Sequence, residues 1–249
     1  MQYVRSKLFD VFLVLWTVLL SLAIPVMWIL DSPPRAVRKL AHIWTGGIDH
    51  GLRHIVGLNH VERGRENIPR GPFVIMANHQ SPWETLILSH KFPEAAFVAK
   101  AELGRIPAVG WCLKNYPMIM IDRAAGAKAM RQLIAESKAV IGDGRPIIIF
   151  PEGTRRHLRE PVEFRRGIEL LYSELQVPVL PVALNSGAFW GPDRPYRRKG
   201  TITISYLPPI APGMNREEFR KMAQSLLQAE KERLLAGLQA GTPHDAAAG

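Results

Sequence analysis

Residues 11 to 30, VFLVLWTVLLSLAIPVMWIL, carry no charge, and this run limits the folds open to the chain more than any other feature. As a helix it is about 30 Å long, roughly one hydrocarbon thickness, so it reads as a membrane segment. A cleaved signal would want a shorter apolar region and a small-x-small site, whereas Leu30 is followed by DSPPRAVRK. Both flanks are basic, with Arg5 and Lys7 before the run and Arg35, Arg38 and Lys39 after it. A positive-inside tendency acting on both flanks returns the segment to the side it entered, with Pro25 supplying a kink; the length fits a simple span equally well. After DSPP, Val37, Leu40, Trp44, Ile48, Leu52 and Ile55 recur every three or four positions, with Arg38, Lys39, His42, Arg53 and His54 mostly between them. The spacing predicts a helix that either lies in a membrane interface or packs on a domain core, weakened at Gly46 and Gly47.

From about Asn59 the pattern changes to short apolar runs separated by amphipathic stretches. Strands are expected at residues 72 to 77 (PFVIMA), 95 to 99 (AAFVA), 118 to 121 (MIMI), 146 to 150 (PIIIF), 179 to 184 (VLPVAL) and 201 to 206 (TITISY). The clearest helix runs from about Gly126 to Ile141, where Met130, Leu133, Ile134, Ser137, Val140 and Ile141 trace one stripe and GDG ends it. A second stripe, Phe219, Met222, Leu226, Leu227, Leu234 and Leu235, predicts a packing helix over residues 215 to 238. Strand and helix alternating in this way argue for an α/β fold, a mixed, mostly parallel sheet covered by helices on both faces. The chain of 249 residues is 47% hydrophobic, enough for one large domain plus an appendage. The expected division is a membrane-anchoring helical segment at 1–57, a main α/β domain at 58–240 and a disordered tail at 241–249.

The formal net charge of +10 suggests an anionic partner, whether nucleic acid, an acidic membrane or a phosphorylated substrate. The single cysteine, Cys112, excludes an internal disulfide framework and fits a reducing compartment, and no Cys/His clusters have zinc-ligand spacing.

In open α/β sheets, functional groups collect in loops at the carboxyl ends of strands. Two such ends are densely polar: PFVIMA runs into NHQSPWE, and PIIIF into PEGTRR. In the first, Ser81, Pro82 and Glu84 stand at N-cap, N1 and N3 of a helix, a capping box that explains Glu84 structurally. It also explains Ser81 better than a nucleophilic role does. His79, between strand and helix, is a candidate base, and a helix N-terminus disfavours its imidazolium form. In the second, a glycine lets backbone approach a ligand, Thr154 offers a hydroxyl, and the guanidinium fork of Arg155 suits phosphate; a solvated turn accounts for the same residues. Lys100 ends the strand AAFVAK, where its ammonium either meets a phosphate or is simply exposed.

NHQSPWE, AKAELGRIPAVG, MIMIDR, FPEGTR and VPVLPVAL together resemble, in order and approximate spacing, the blocks of the glycerolipid acyltransferases over roughly residues 30 to 215. The resemblance is to the members that acylate lysophosphatidate. It implies transfer of a fatty acyl group from acyl-acyl carrier protein or acyl-CoA to the 2-hydroxyl of 1-acyl-sn-glycerol-3-phosphate, giving phosphatidate. No acyl-enzyme, metal or redox cofactor is implied. The family histidine falls on His79, as general base, and the family carboxylate on Glu84, a glutamate where aspartate is usual, which keeps the charge and adds a methylene. Both roles for Glu84 then combine: the helix start positions it, and its free carboxylate oxygen faces His79. Phosphate recognition falls on Lys100 and Arg155, with Glu152, Gly153 and Thr154 completing that block and Arg123 a further phosphate or structural ligand. The implied place is a membrane, on the cytoplasmic face of a bacterial inner membrane, with no nucleic-acid partner. Competing readings are another lysolipid acceptor such as lyso-ornithine lipid, thioester hydrolysis, and a membrane-anchored basic binding protein, although no nucleic-acid recognition motif is present.

Overall fold

The structure is a computed structural model that describes residues 1–105, 111, 113, 115, 116, 118–122 and 125–239. Among the described residues, seven strands form one sheet: β1 (Leu58–Arg63), β2 (Val74–Ala77), β3 (Ala96–Lys100), β4 (Ile119–Ile121), β5 (Ile147–Ile149), β6 (Val179–Leu184) and β7 (Gly200–Tyr206), in the order β1-β7-β6-β2-β5-β3-β4. Every neighbouring pair is parallel except β6 with β7. The central strands β2, β5 and β6 are buried along their whole length, which is why they read as continuous apolar runs rather than alternating ones. Residues 58 to 63 were not expected to form a strand. They form β1, an edge strand paired only with β7, and Asn59, Glu62 and Arg63 dilute its apolar signal.

Successive side chains of these strands feed two separate cores. Val74, Met76, Ile147 and Ile149 pack with α5 (Ala127–Gly142), α6 (Ile168–Leu175) and α8 (Arg216–Gln239). Ile75, Ala77, Ile148 and Leu180 pack on the other face with α4 (Pro82–Lys91) and the N-terminal helices. Both faces are therefore covered, as a parallel sheet requires. The expected stripe of α8 is corrected at one position. Met222 is 45% exposed, while Phe219, Ala223, Leu227 and, unexpectedly, Lys231 are buried. The tail at 241–249 lies outside the described residues.

The N-terminal helices are α1 (Gln2–Ser21), α2 (Ala23–Ile29) and α3 (Pro34–Gly51), the last running into a π turn at Leu52–Val56. The break at Leu22 falls where Pro25 has no amide proton to give the carbonyl four residues earlier. Together Gln2–Ile29 is long and apolar enough to cross a membrane, and Val11, Val14, Leu15, Val18, Leu19 and Leu22 are more than half exposed. The inner side of α1 is packed: Phe9 is fully buried, in the same cluster as Ile48, Leu52 and the sheet. Gly46 and Gly47 do not weaken α3. A Cβ on Gly47 would lie 2.3 Å from Trp16 Cε2, and one on Gly51 would lie 2.4 Å from Phe12 Cε1, so these glycines let the aromatic rings of α1 sit against the α3 backbone. Trp16 Nε1 then donates to Trp44 O and Trp44 Nε1 to Thr17 Oγ1, both at 3.0 Å. With Val37, Thr45, Ile48 and Asp49 buried, α3 is a helix packed on the domain, and α1 supplies the outer apolar surface.

Candidate active site

The parallel neighbours β6, β2 and β5 end side by side. Their carboxyl ends deliver Asn185 and Ser186, Asn78 and His79, and Phe150 to Glu152 to one place. Asn78 fastens the first two loops together: its Nδ2 donates to Leu184 O at 3.0 Å, and Leu184 N donates to its Oδ1 at 2.7 Å. The backbone of His79 fastens the third. His79 N donates to Glu152 Oε2 at 3.2 Å, and His79 O accepts from Arg156 N at 2.8 Å. Through the Asn78 side chain and the His79 main chain, this turn is thus tied to both neighbouring strand ends before the imidazole ring does anything.

That ring has one defined partner. His79 Nδ1 and Glu84 Oε1 are 2.9 Å apart; with the carboxylate as acceptor, the proton sits on Nδ1 and leaves Nε2 as a lone-pair base. Phe150 stacks on the imidazole at 4.1 Å between centroids and 15° between planes, fixing its plane. The side chain keeps 15% exposure while that of Glu84 has none.

The capping box at the head of α4 is present, with Ser81 Oγ accepting from Trp83 N at 3.0 Å. Where the carboxylate was expected to give one oxygen to the cap and the other to the histidine, a single oxygen serves both. Glu84 Oε1 accepts from Gln80 N at 2.5 Å and Ser81 N at 2.6 Å as well as from His79. The second oxygen, Oε2, accepts from Ser186 Oγ at 2.8 Å. The reason is geometric: the backbone turns over the helix N-terminus at residues 79 to 81, so two amides and the ring nitrogen point at the same spot, and the extra methylene of glutamate reaches it. Ser186 was missed. The signal lay in its position two residues past VLPVAL, a strand end like the two that were read as polar loops.

Glu152 is buried, and that burial pushes its carboxyl up to about 7 against the opposing pull of His79 N–H, Lys231 and Arg156, with Glu84 pushing it further in the same direction. Lys231, from α8, is held below the usual lysine range by its own burial and donates to Glu160 O. Gly153 has φ +69°, a left-handed turn that glycine adopts without strain, and it throws Thr154 and Arg155 out to the exposed surface of the loop. Lys100 closes β3 at its carboxyl end, on the same side of the sheet as these loops; its side chain, and all of Arg123, lie outside the described residues. A small cavity of about 170 Å³ opens beside Leu158, Gly187 and Arg194, where Gln80 Oε1 accepts from Gly187 N in α7 (Gly187–Trp190).

Residues 60–185 match the acyltransferase family. The chain is 38% identical over 165 residues to a 1-acyl-sn-glycerol-3-phosphate acyltransferase of Pseudomonas aeruginosa, across 66% of this chain and 63% of that one. It is 28% identical over 166 residues to a protein of the same name from Saccharomyces cerevisiae, across 65% and 55%. The chain thus spans less than two thirds of the length of these curated relatives. The crystal structure of the 1-acyl-sn-glycerophosphate acyltransferase of Thermotoga maritima superposes with a TM-score of 0.76 at 24% identity, over 95% of this chain and 98% of that one, so the fold is shared from end to end. On the family match, which takes in most of β1, all of β2 to β6 and both polar loops, the chain belongs to the acyltransferase family.

Proposed function

We propose that the protein transfers a fatty acyl group from an acyl-acyl carrier protein or acyl-CoA thioester to the 2-hydroxyl of 1-acyl-sn-glycerol-3-phosphate, giving phosphatidate and a free thiol. The observation that carries this reading is the His79–Glu84 contact of 2.9 Å at a strand end, with Nε2 left to accept a proton. In the proposed step, Nε2 takes the hydroxyl proton as the oxygen attacks the thioester carbonyl. Glu84 stabilises the imidazolium, and the collapsing intermediate expels the thiolate, which recovers the proton from His79. Ser186 holds the far oxygen of Glu84 and so keeps the carboxylate plane aimed at the ring.

Thr154 and Arg155, exposed on the loop that Gly153 turns outward, are the proposed contacts for the acceptor's phosphate, with Lys100 and Arg123 as further ones. Glu152 contributes by ordering that loop, since its buried carboxyl sits on the His79 amide. The 1–57 segment is the proposed anchor, bringing the site to a lipid acceptor at a membrane surface, the cytoplasmic face of a bacterial inner membrane.

The test is acyl transfer by membranes containing the protein, with a labelled acyl donor, a panel of lysolipid acceptors, and His79→Ala alongside. Phosphatidate formation from lysophosphatidate, falling about 10²-fold or more in the variant, is the expected result. Full activity in His79→Ala would remove the mechanism. Preference for a different acceptor would remove the substrate.

A further inference from the structure

At the opposite, amino-terminal ends of the parallel strands, Pro93 and Glu94 lead into β3, and a cavity of about 460 Å³ opens between them and the start of α3. Its walls carry Arg35, Arg38, Lys39 and His42. The first three stand at i, i+3 and i+4, so three cations share one helical face. Like charges at this spacing destabilise an isolated helix. Glu94 is the single carboxylate in the lining, and it is already engaged twice: its Oε2 lies 3.2 Å from Arg38 Nε and its carbonyl accepts from Arg145 Nε at 2.9 Å. The Arg38 contact lacks hydrogen-bond geometry, which leaves Arg38 Nε a buried donor without an acceptor. The crowding of positive charge is felt by its neighbours. Burial first, and then the charge of Arg38, draw the Arg145 guanidinium below its usual range. His90, which stacks on His42 at 4.2 Å, is likewise lowered, by burial first and then by His42. Asp49 on His90 and Asp143 on Arg145 oppose these shifts without reversing them, and among the described residues that line the cavity Glu94 carries the one negative charge.

An orphaned guanidinium donor in a roomy cationic cavity calls for an anion with several acceptor oxygens, and a phosphate supplies them. The position of the cavity indicates where that phosphate comes from. Trp28, Ile29 and Leu30 end the apolar helix with 68%, 77% and 70% exposure, and Arg35 follows Leu30 by five positions, at most about 18 Å of chain. With the exposed face of α1 and α2 in hydrocarbon, the cavity falls at headgroup depth. We propose that the cavity lined by Arg35, Arg38, Lys39 and His42 is a binding site for the phosphate of an anionic phospholipid, separate from the site at His79.

The test uses the full chain in a neutral detergent, titrated with a short-chain phosphatidylglycerol, the matching phosphatidylcholine, or inorganic phosphate, with the unfolding midpoint as readout. Phosphatidylglycerol should raise the midpoint saturably, and the exposed pair Arg35→Gln/Lys39→Gln should weaken its apparent affinity about 10-fold or more. Arg38→Gln should do the same, and the pair Lys128→Gln/Arg131→Gln, which removes equal charge from α5, should not. Equal weakening in both double variants would mean diffuse surface attraction and overturn the proposal. An Arg38-dependent shift as strong with inorganic phosphate as with the lipid would assign the site to a free phosphate and overturn the lipid source. Because no acyl transfer is measured, the outcome stands apart from that of the His79 test.

Discussion

Glu84 Oε1 accepts three hydrogen bonds, two from the backbone of the helix cap and one from the proposed base. The cap and the dyad therefore share one atom but depend on different properties of it. Glu84→Gln keeps an amide oxygen for Gln80 N and Ser81 N, with its NH₂ turned to the Ser186 oxygen, while removing the charge that stabilises an imidazolium. The expected result is a loss in kcat/KM on the order of 10²- to 10⁴-fold with a stability cost of no more than about 1 kcal/mol. Ser81→Ala should show the reverse, about 1 kcal/mol of stability lost and little rate. Steady-state kinetics and denaturation of both variants check this; a Glu84→Gln protein that unfolds but retains specific activity would leave only the cap. Glu152 carries a separate pH signature. Its carboxyl titrates at about 7 when folded and 4.5 otherwise, so the unfolded chain ionises first. The stability it contributes in acid is lost as pH rises from about 4.5 to about 7, by about 3 kcal/mol. Subtracting the stability profile of Glu152→Gln from that of the parent should isolate this slope. Two parallel profiles would refute it.

Among the elements, the ones read correctly are those with a single physical signal. The apolar runs of β2, β5 and β6 and the stripe of α5 declare themselves because each is buried in one simple pattern. β1 did not, because an edge strand buries only part of its surface and tolerates His60, Glu62 and Arg63. The glycines of α3 were misread for a related reason: helix propensity describes an isolated helix, and Trp16 of α1 supplies a tertiary partner that no local window contains. Lys231 in α8, which is not part of the apolar stripe, is buried under the loop that carries Glu160, a partner distant in sequence. Gly47→Ala should therefore destabilise, by about 1–3 kcal/mol, as overpacking does. Gly142→Ala, with nothing within 4 Å of the added carbon, should be neutral or slightly stabilising. Thermal unfolding in detergent distinguishes the two, and equal midpoints for both variants would contradict the packing account of α1 against α3.

Across the whole molecule, the convergence of the polar loops at the carboxyl ends of the strands into one candidate site was legible, because strand-end placement and residue type agree there. The joining of the N-terminal helix to the domain was not legible, because it depends on residues far apart in sequence. Arg197 Nη1 donates to Asp10 Oδ1 at 2.6 Å, and its guanidinium stacks on Phe9 and Trp190; Arg5 Nε donates to Ile55 O at 2.8 Å. Deleting residues 1–21 should consequently yield an aggregating or unstable domain instead of a freely soluble one, as fractionation and thermal unfolding of the truncated chain would show; a monomeric truncation with the parent midpoint would disprove it. The same contacts bear on biosynthesis. Ser6 and Arg197 are 191 positions apart, so during translation the apolar helix leaves the ribosome long before Trp190 and Arg197, which complete the cover over Phe9. Until they arrive, lipid or a chaperone must shield Phe9, and final docking waits for the last quarter of the chain.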